Sequence, residues 1–238
     1  MFDLLESSFV DYPGKISAVI FFPGCQFRCP FCQNPDLVLN KAPASSNINV
    51  LCTLLKKRAH LLDGVCITGG EPLLRYKELC ELIQVVKSID RGSGNPPFVV
   101  KLDTNGYAPD RLENLLKANR LDYIAMDIKT SPAKYPEAAG LPGLDIRLIE
   151  RSIELIRSSG IDYEFRTTVV PDFFTDEDAK KIGEWLKDSK KYALQQFSNR
   201  NNMLDETYKE KQPYPSSKLR EFKKILEPFF EKVEVRGI

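Results

Sequence analysis

Seven short apolar or β-branched runs punctuate this chain, at residues 17–22, 65–67, 98–103, 123–127, 165–170, 193–197 and 233–235. Each has strand length and polar or glycine- and proline-containing flanks. The segments between them carry helical spacing. Leu51, Leu54, Leu55 and Leu62 share one face, as do Leu79, Leu82, Ile83, Val86 and Ile89. Thr175 stands where an N-cap would precede Ala179, Ile182, Trp185 and Leu186, and Leu219, Phe222, Ile225 and Leu226 mark a last helix. Strands alternating with helices predict an α/β fold with a mainly parallel sheet, in the form of an open or closed barrel. No repeat or low-complexity tract interrupts the pattern, so residues 1–238 read as one domain. The segment 91–97 reads as a helix-to-strand loop, and 198–215 is long enough for a lid or binding segment.

In such a fold the chemistry lies at the C-terminal ends of the strands. The polar residues follow that rule. Cys25, Cys29 and Cys32 come after the first run, and Gly69, Gly70 and Glu71 after the second. Asp103, Thr104 and Asn105 end the third, Asp127 and Lys129 the fourth, and Arg166 and Thr168 lie on the fifth. Polar groups at successive strand ends predict one shared mouth.

Composition narrows the class. The 238 residues carry 34 basic and 33 acidic side chains, a net charge of +1, which gives no electrostatic reason to expect nucleic acid or an anionic membrane as partner. No apolar run approaches the roughly 20 residues of a membrane span. The first residues carry acids and no small-residue cleavage site, so no signal peptide is read there and a cytoplasmic protein is expected. Six cysteines in that setting point to metal ligands rather than disulfides. Cys52, Cys66 and Cys80 are dispersed and read as small buried residues.

The other three cysteines form C-x3-C-x2-C within the loop 23–35. Thiolates this close suit an iron–sulfur cluster, and three ligands on a four-iron cluster leave one iron open for chemistry. A zinc site completed by Cys52 or His60 is the alternative, although a helix face separates both from the loop. Phe31, between the last two cysteines, is core or a stacking surface for a planar base. Gly69 and Gly70 would let backbone approach a ligand, and Glu71 would accept from an ammonium group.

The loop, with an aromatic before its last cysteine, resembles the radical SAM superfamily, and Gly69-Gly70-Glu71-Pro72 resembles that family's GGE motif. The resemblance implies a partial (β/α)6 TIM-like barrel, completed by a helix and strand within 215–238. It implies a 4Fe–4S cluster on Cys25, Cys29 and Cys32, whose open iron is chelated by S-adenosylmethionine. Reductive cleavage would then give methionine and a 5′-deoxyadenosyl radical that abstracts a hydrogen atom. Gly69, Gly70 and Glu71 would hold the methionyl part, with Glu71 at its amino group. Lys129 and Arg166 would serve the carboxylate and ribose end, Phe31 the adenine, and Asn34 and Thr168 further cofactor contacts.

The segments LDTNGY (102–107) and MDIKT (126–130) are similar to glycyl-radical-enzyme activases, of which the pyruvate formate-lyase activating enzyme is one. By that resemblance Asp103, Thr104, Ala125 through its carbonyl, and Asp127 would bind a monovalent cation beside the cofactor. SFVDYPGK (8–15) matches an S-x-x-D-x-P-G element of these activases. With CPFCQNPDLV and LQQF it most resembles the longer form of the activating protein of anaerobic ribonucleoside-triphosphate reductase. The implied partners are that reductase and a flavodoxin- or ferredoxin-type electron donor. The chain departs from the pattern at Gln33, where such activases usually carry His, which removes a proton carrier there. Three other functions stay open: activation of another glycyl-radical enzyme such as pyruvate formate-lyase, radical chemistry on a small molecule in the manner of 7-carboxy-7-deazaguanine synthase, and a non-catalytic cluster or zinc protein.

Overall fold

Successive strand residues point to opposite faces, and here the two faces have opposite chemistry. The computed structural model describes residues 2–41, 45–92, 94–200 and 202–238; Ser93 of the 91–97 loop and Asn201 of the 198–215 loop lie outside the described residues. Its elements are β1 (Asp3–Ser8), β2 (Ser17–Phe22), α1 (Pro35–Val38), α2 (Ile48–Lys57), β3 (Gly64–Gly69), α3 (Tyr76–Ser88), β4 (Val99–Thr104), α4 (Pro109–Lys117), β5 (Tyr123–Asp127), α5 (Tyr135–Ala138), α6 (Ile146–Ser158), β6 (Asp162–Val169), α7 (Asp176–Trp185), β7 (Ser189–Gln196), α8 (Ser216–Leu226) and β8 (Phe230–Arg236).

Among the described residues these strands form one eight-stranded sheet in the order β1 to β8. The strands β2 to β8 are parallel, and β1 runs antiparallel at the edge. β8 pairs with β7 and extends the sheet without meeting β1, so the barrel is open. All seven expected runs are strands. β1 was not foreseen: it is a half-exposed edge strand whose acids, Asp3 and Glu6, hide any alternation.

One face of the sheet carries Ala18, Ile20, Phe22, Val65, Ile67, Val100, Leu102, Ile124, Met126, Phe165 and Leu194. It packs on Leu51 and Leu55 of α2, Leu79 and Ile83 of α3, Leu112 of α4, Ile149 and Ile153 of α6, Ile182 of α7 and Phe222 of α8 in one continuous core. Burial of such side chains contributes about 1.5–3 kcal/mol each. Thr175 caps α7 through a full capping box with Asp178, as its position predicts.

The opposite face lines the barrel and is polar. Its residues include Lys101, Asp103, Asp127, Glu164, Arg166, Lys191, Glu234 and Arg236, joined by ion pairs within and between strands. Tyr12 packs against Tyr123 and Ala125 in a small separate apolar patch. No described helix is long and apolar enough to cross a membrane.

Candidate functional site

β2 feeds the cysteines into an irregular loop held by backbone hydrogen bonds from several directions. Gly24 N donates to Leu37 O, Arg28 N to Ala139 O and Glu71 N to Gly24 O, each at 2.8 Å. From another side Leu204 N donates to Cys32 O and Asp205 N to Pro30 O, both at 3.0 Å. Residues 202–215 of the long 198–215 segment are thus a strap across the cysteine loop. Its Tyr208 stacks on Phe173 at 6.4 Å, and Phe31 packs 5.7 Å from Phe173. Gln33 Nε2 donates to Ser198 O at 2.9 Å, so this departure from the usual His joins loop to strap.

Gly69 and Gly70 make that loop's geometry feasible. A Cβ on Gly70 would lie 2.1 Å from Gly24 O and 3.3 Å from the Cβ of Cys25. Gly69 has φ +120° and its Cβ would lie 2.3 Å from Phe22 O. Only glycine fits at either position. The close approach expected toward a ligand is therefore first an approach to the backbone that leads into Cys25, while both glycines also line the cavity.

Glu71 requires a correction. Its side chain is fully buried and does not line the cavity. Oε1 accepts from Leu73 N at 3.0 Å and Thr104 Oγ1 at 2.9 Å, and Oε2 accepts from Asn105 N at 2.7 Å. Its carboxylate fastens the end of β4 to the GGE turn and is not presented to a ligand's ammonium. Burial pushes its pKa up to about 7 against the lowering effect of those donors.

Asp103 and Asp127 share one face of the sheet on neighbouring strands, and Arg166 bridges them. Arg166 Nε donates to Asp127 Oδ1 at 2.5 Å and Nη2 to Asp103 Oδ2 at 3.0 Å. Lys129 Nζ donates to Asp127 Oδ2 at 3.0 Å, and Lys101 Nζ to Asp103 Oδ1. Burial alone would raise the Asp127 carboxyl, yet Arg166 and Lys129 outweigh it and hold it well below the carboxylate range. Thr104 Oγ1 donates to Glu71 and accepts from Gly106 N at 3.1 Å. Ala125 lies in the Tyr12 patch and does not line the cavity. Of the oxygen set expected for a monovalent cation, Asp103, Thr104 and Asp127 all line the cavity, with Arg166 bridging the two carboxylates.

The remaining expected residues meet at one cavity of about 310 Å³. Cys25, Cys29, Phe31, Cys32 and Asn34 line it from the loop, Asp103, Asp127, Lys129, Arg166 and Thr168 from the strands. The cysteines are free. Among the described residues no group of three His, Cys, Asp or Glu is arranged around a single metal ion. Three thiols spread around a shared cavity suit a multi-iron cluster, in which each takes a separate iron. Burial pushes the Cys29 thiol up to about 12 and Cys25 to about 11, with nearby Lys129 working in the opposite direction at both. Metal would displace those protons on binding. Cys52 and His60, the alternative zinc ligands, do not line the cavity.

Several residues here escaped the sequence reading. Gln195 and Gln196 line the wall from β7. Asn105 was noted only as a strand end; its Nδ2 lies 3.6 Å from Cys25 Sγ and its Oδ1 accepts from Gln26 Nε2 at 3.1 Å. Lys101 was hidden in an apolar run. Its place two residues before Asp103 was the available signal, since i and i+2 share a strand face.

Comparison with known proteins agrees with this architecture. The chain is 34% identical to a putative glycyl-radical enzyme activating enzyme of Methanocaldococcus jannaschii, over 99% of this chain and 95% of that protein. It is 28% identical to the pyruvate formate-lyase-activating enzyme of Clostridium pasteurianum, over 75% of this chain and 72% of that one. Streptococcus suis SuiB, solved with S-adenosylmethionine bound, superposes with a TM-score of 0.65 at 15% identity. That alignment covers 92% of this chain and 52% of SuiB, about half its length, and speaks for the fold. A family model for the radical SAM superfamily matches residues 19–186. With its three cysteines and glycine turn on one cavity, this chain belongs to the radical SAM superfamily, enzymes that work with a 4Fe–4S cluster and S-adenosylmethionine.

Proposed function

We propose that this enzyme installs a glycyl radical on an anaerobic ribonucleoside-triphosphate reductase in the cytoplasm, drawing electrons from a flavodoxin- or ferredoxin-type donor. The observation that carries the activase reading is the 34% identity, along 99% of the chain, to a relative described as a glycyl-radical enzyme activating enzyme. The N-terminal Ser8, Asp11, Pro13 and Gly14, together with the LQQF segment ending at Phe197, favour the ribonucleotide-reductase type. The open sheet is compatible with a protein loop as substrate.

In this reading Cys25, Cys29 and Cys32 hold the cluster. Gly69 and Gly70 offer backbone to the methionyl part of S-adenosylmethionine, and Lys129 and Arg166 face its carboxylate and ribose end. Phe31 supplies an apolar wall for adenine, and Asn34 and Thr168 add polar contacts. Bound together, the cluster and S-adenosylmethionine supply one-electron reduction and hydrogen-atom abstraction. The chain's own contribution is placement. Asp127 aims Lys129 and Arg166, the strap holds the loop, and the buried walls exclude water.

The test is anaerobic electron paramagnetic resonance on reconstituted enzyme, reductant, S-adenosylmethionine and the reductase from the same source. A glycyl doublet on the reductase is expected. Formation of 5′-deoxyadenosine without that doublet would reject this partner and turn attention to other glycyl-radical proteins.

A further inference from the structure

Asn105 follows β4 directly, is 5% exposed and lines the cavity beside the cysteine loop. Both polar atoms of its amide are engaged. Oδ1 accepts from Tyr107 N at 3.0 Å and from Gln26 Nε2 at 3.1 Å, and Nδ2 lies 3.6 Å from Cys25 Sγ. The backbone fixes which end of the amide is which. Tyr107 N can only donate, so the atom facing it has to be the oxygen, and the NH2 group is left to face the sulfur. The turn itself is anchored, because Asn105 N donates to Glu71 Oε2 at 2.7 Å.

This contact contributes little while Cys25 is a thiol, which is a weak acceptor. It gains strength once Cys25 is a cluster ligand. A metal-bound sulfur is a thiolate, and hydrogen bonds to a charged acceptor are about twice as strong as neutral ones. An added electron puts more negative charge on the cluster and its sulfur ligands. A donor held against one of those sulfurs therefore favours the reduced state, and hydrogen bonds to sulfur are among the features that set iron–sulfur potentials. Gln26 Oε1 lies 3.9 Å from the same sulfur and accepts from it only while the thiol keeps its proton.

We propose that the Asn105 amide is a fixed hydrogen-bond donor to the Cys25 thiolate and raises the reduction potential of the cluster. Asn105 is a positioning residue: it acts through a cluster ligand, and it sets how readily the enzyme accepts its electron. The inference rests on placing the cluster on Cys25, Cys29 and Cys32.

The experiment is a potentiometric titration of reconstituted enzyme without S-adenosylmethionine. It follows the electron paramagnetic resonance signal of the reduced cluster, with iron and sulfide counted per chain. Asn105→Leu keeps the side chain's size and removes the donor. It is expected to load the cluster and to be about tenfold harder to reduce, a downward shift of ~59 mV for one electron. A second measurement uses enzyme whose asparagine side-chain amides carry the heavy nitrogen isotope, in an Asn34→Gln background. That background removes the other asparagine lining the cavity among the described residues, one whose side chain makes no capping bond on α1. Pulsed electron paramagnetic resonance of the reduced cluster is expected to show coupling to the labelled nitrogen, and Asn105→Leu to abolish it. A fully loaded Asn105→Leu variant with wild-type potential overturns the inference, and so does a labelled enzyme with no nitrogen coupling. Should Asn105→Leu not load, the nitrogen coupling decides alone. Cys25→Ala separates this inference from the placement beneath it. Full loading of that variant rejects Cys25 as a ligand, while lost loading together with an unmoved Asn105→Leu potential rejects the role of Asn105 alone.

Discussion

Replacing Glu71 with Gln distinguishes a carboxylate that ties the protein together from one that binds a ligand. The wild-type carboxylate accepts from two backbone N–H groups, of Leu73 and Asn105, and from the Thr104 hydroxyl. A glutamine has one acceptor oxygen in the same space. Whichever way its amide turns, its NH2 faces a buried backbone N–H, Asn105 in one orientation and Leu73 in the other. Thr104 can rotate; the backbone cannot. One orphaned buried donor costs about 1–3 kcal/mol.

The pH dependence adds a second signature. Burial raises the Glu71 pKa from its ordinary 4.5 to about 7 in the folded chain. A carboxyl raised on folding contributes stability that is complete below its unfolded pKa and is lost as pH rises through the folded one. Between about pH 5 and about pH 8.5 the wild type should therefore lose about 2–3 kcal/mol that the glutamine variant, having nothing to titrate, does not lose. The gap between the two proteins widens toward acid pH. Asp127 stays ionised throughout this window, since Arg166 and Lys129 hold its pKa far below it. Urea unfolding of the cluster-free chain at both pH values measures the stabilities, and equilibrium dialysis on reconstituted enzyme measures S-adenosylmethionine binding. A Glu71→Gln variant with wild-type stability at both pH values and weakened cofactor binding would refute the reasoning and restore Glu71 as a ligand to the ammonium group.

Gly70→Ala should lower cluster loading, read as iron and sulfide per chain, because its Cβ would stand 2.1 Å from Gly24 O and push the backbone leading into Cys25; full loading would show that the loop can move aside. Asp127→Ala should weaken S-adenosylmethionine binding about tenfold or more while leaving cluster loading near wild type, since it frees Lys129 and leaves Arg166 held by Asp103 alone, without touching a cysteine. Equal loss of binding and loading would contradict that separation. Glu164→Ala should cost about 1–3 kcal/mol in urea unfolding, because it removes the buried acceptor of the Tyr123 hydroxyl and of Arg236, while Arg236 and Lys191 keep Glu234 as a partner. The same variant should bind the cofactor normally once folded, and a binding defect without a stability defect would count against this division of roles.

How far the sequence could be read follows from what each element shows to solvent. Strands β2 to β8 present an apolar face to helices, and that face is what the runs register. β1 has no such covered face along its length, so its half-exposed residues looked like an ordinary polar terminus. The cysteines, Gly69, Gly70, Asp127 and Arg166 could be gathered into one mouth because strand ends in an α/β sheet point the same way. Direction of individual side chains was beyond spacing alone. Glu71 follows two glycines at the mouth and still turns inward, toward Thr104 and Asn105, because the turn needs its carboxylate as a helix-type cap for Leu73 N. The ion pairs between the strand ends were hidden for a similar reason. The sequence brought Asp103 and Asp127 together but gave no hint that Arg166 would span them.

The polar face of the sheet explains why charge is so concentrated here. A closed barrel fills its interior with layers of branched apolar side chains. An open one that must expose its upper interior to a charged cofactor cannot do so, and its inward positions have to be satisfied some other way. This chain uses two tiers of ion pairs. The lower tier, Glu164 with Tyr123, Lys191 and Arg236, does not reach the cavity, and Arg236 alone meets Glu164 with two hydrogen bonds of 2.8 and 2.7 Å. Burial would raise the Glu164 pKa, but those bonds bring it down to about 2. The upper tier repeats the device with Asp103, Asp127, Lys129 and Arg166, which do line the cavity. Buried pairs of this kind contribute little net stability over apolar packing, but breaking one is expensive, so they hold side chains in fixed positions. Fixed dipoles and charges are what a site for radical chemistry requires, because the walls must hold their arrangement while an electron moves. The lower tier anchors strands and the upper tier aims at the ligand.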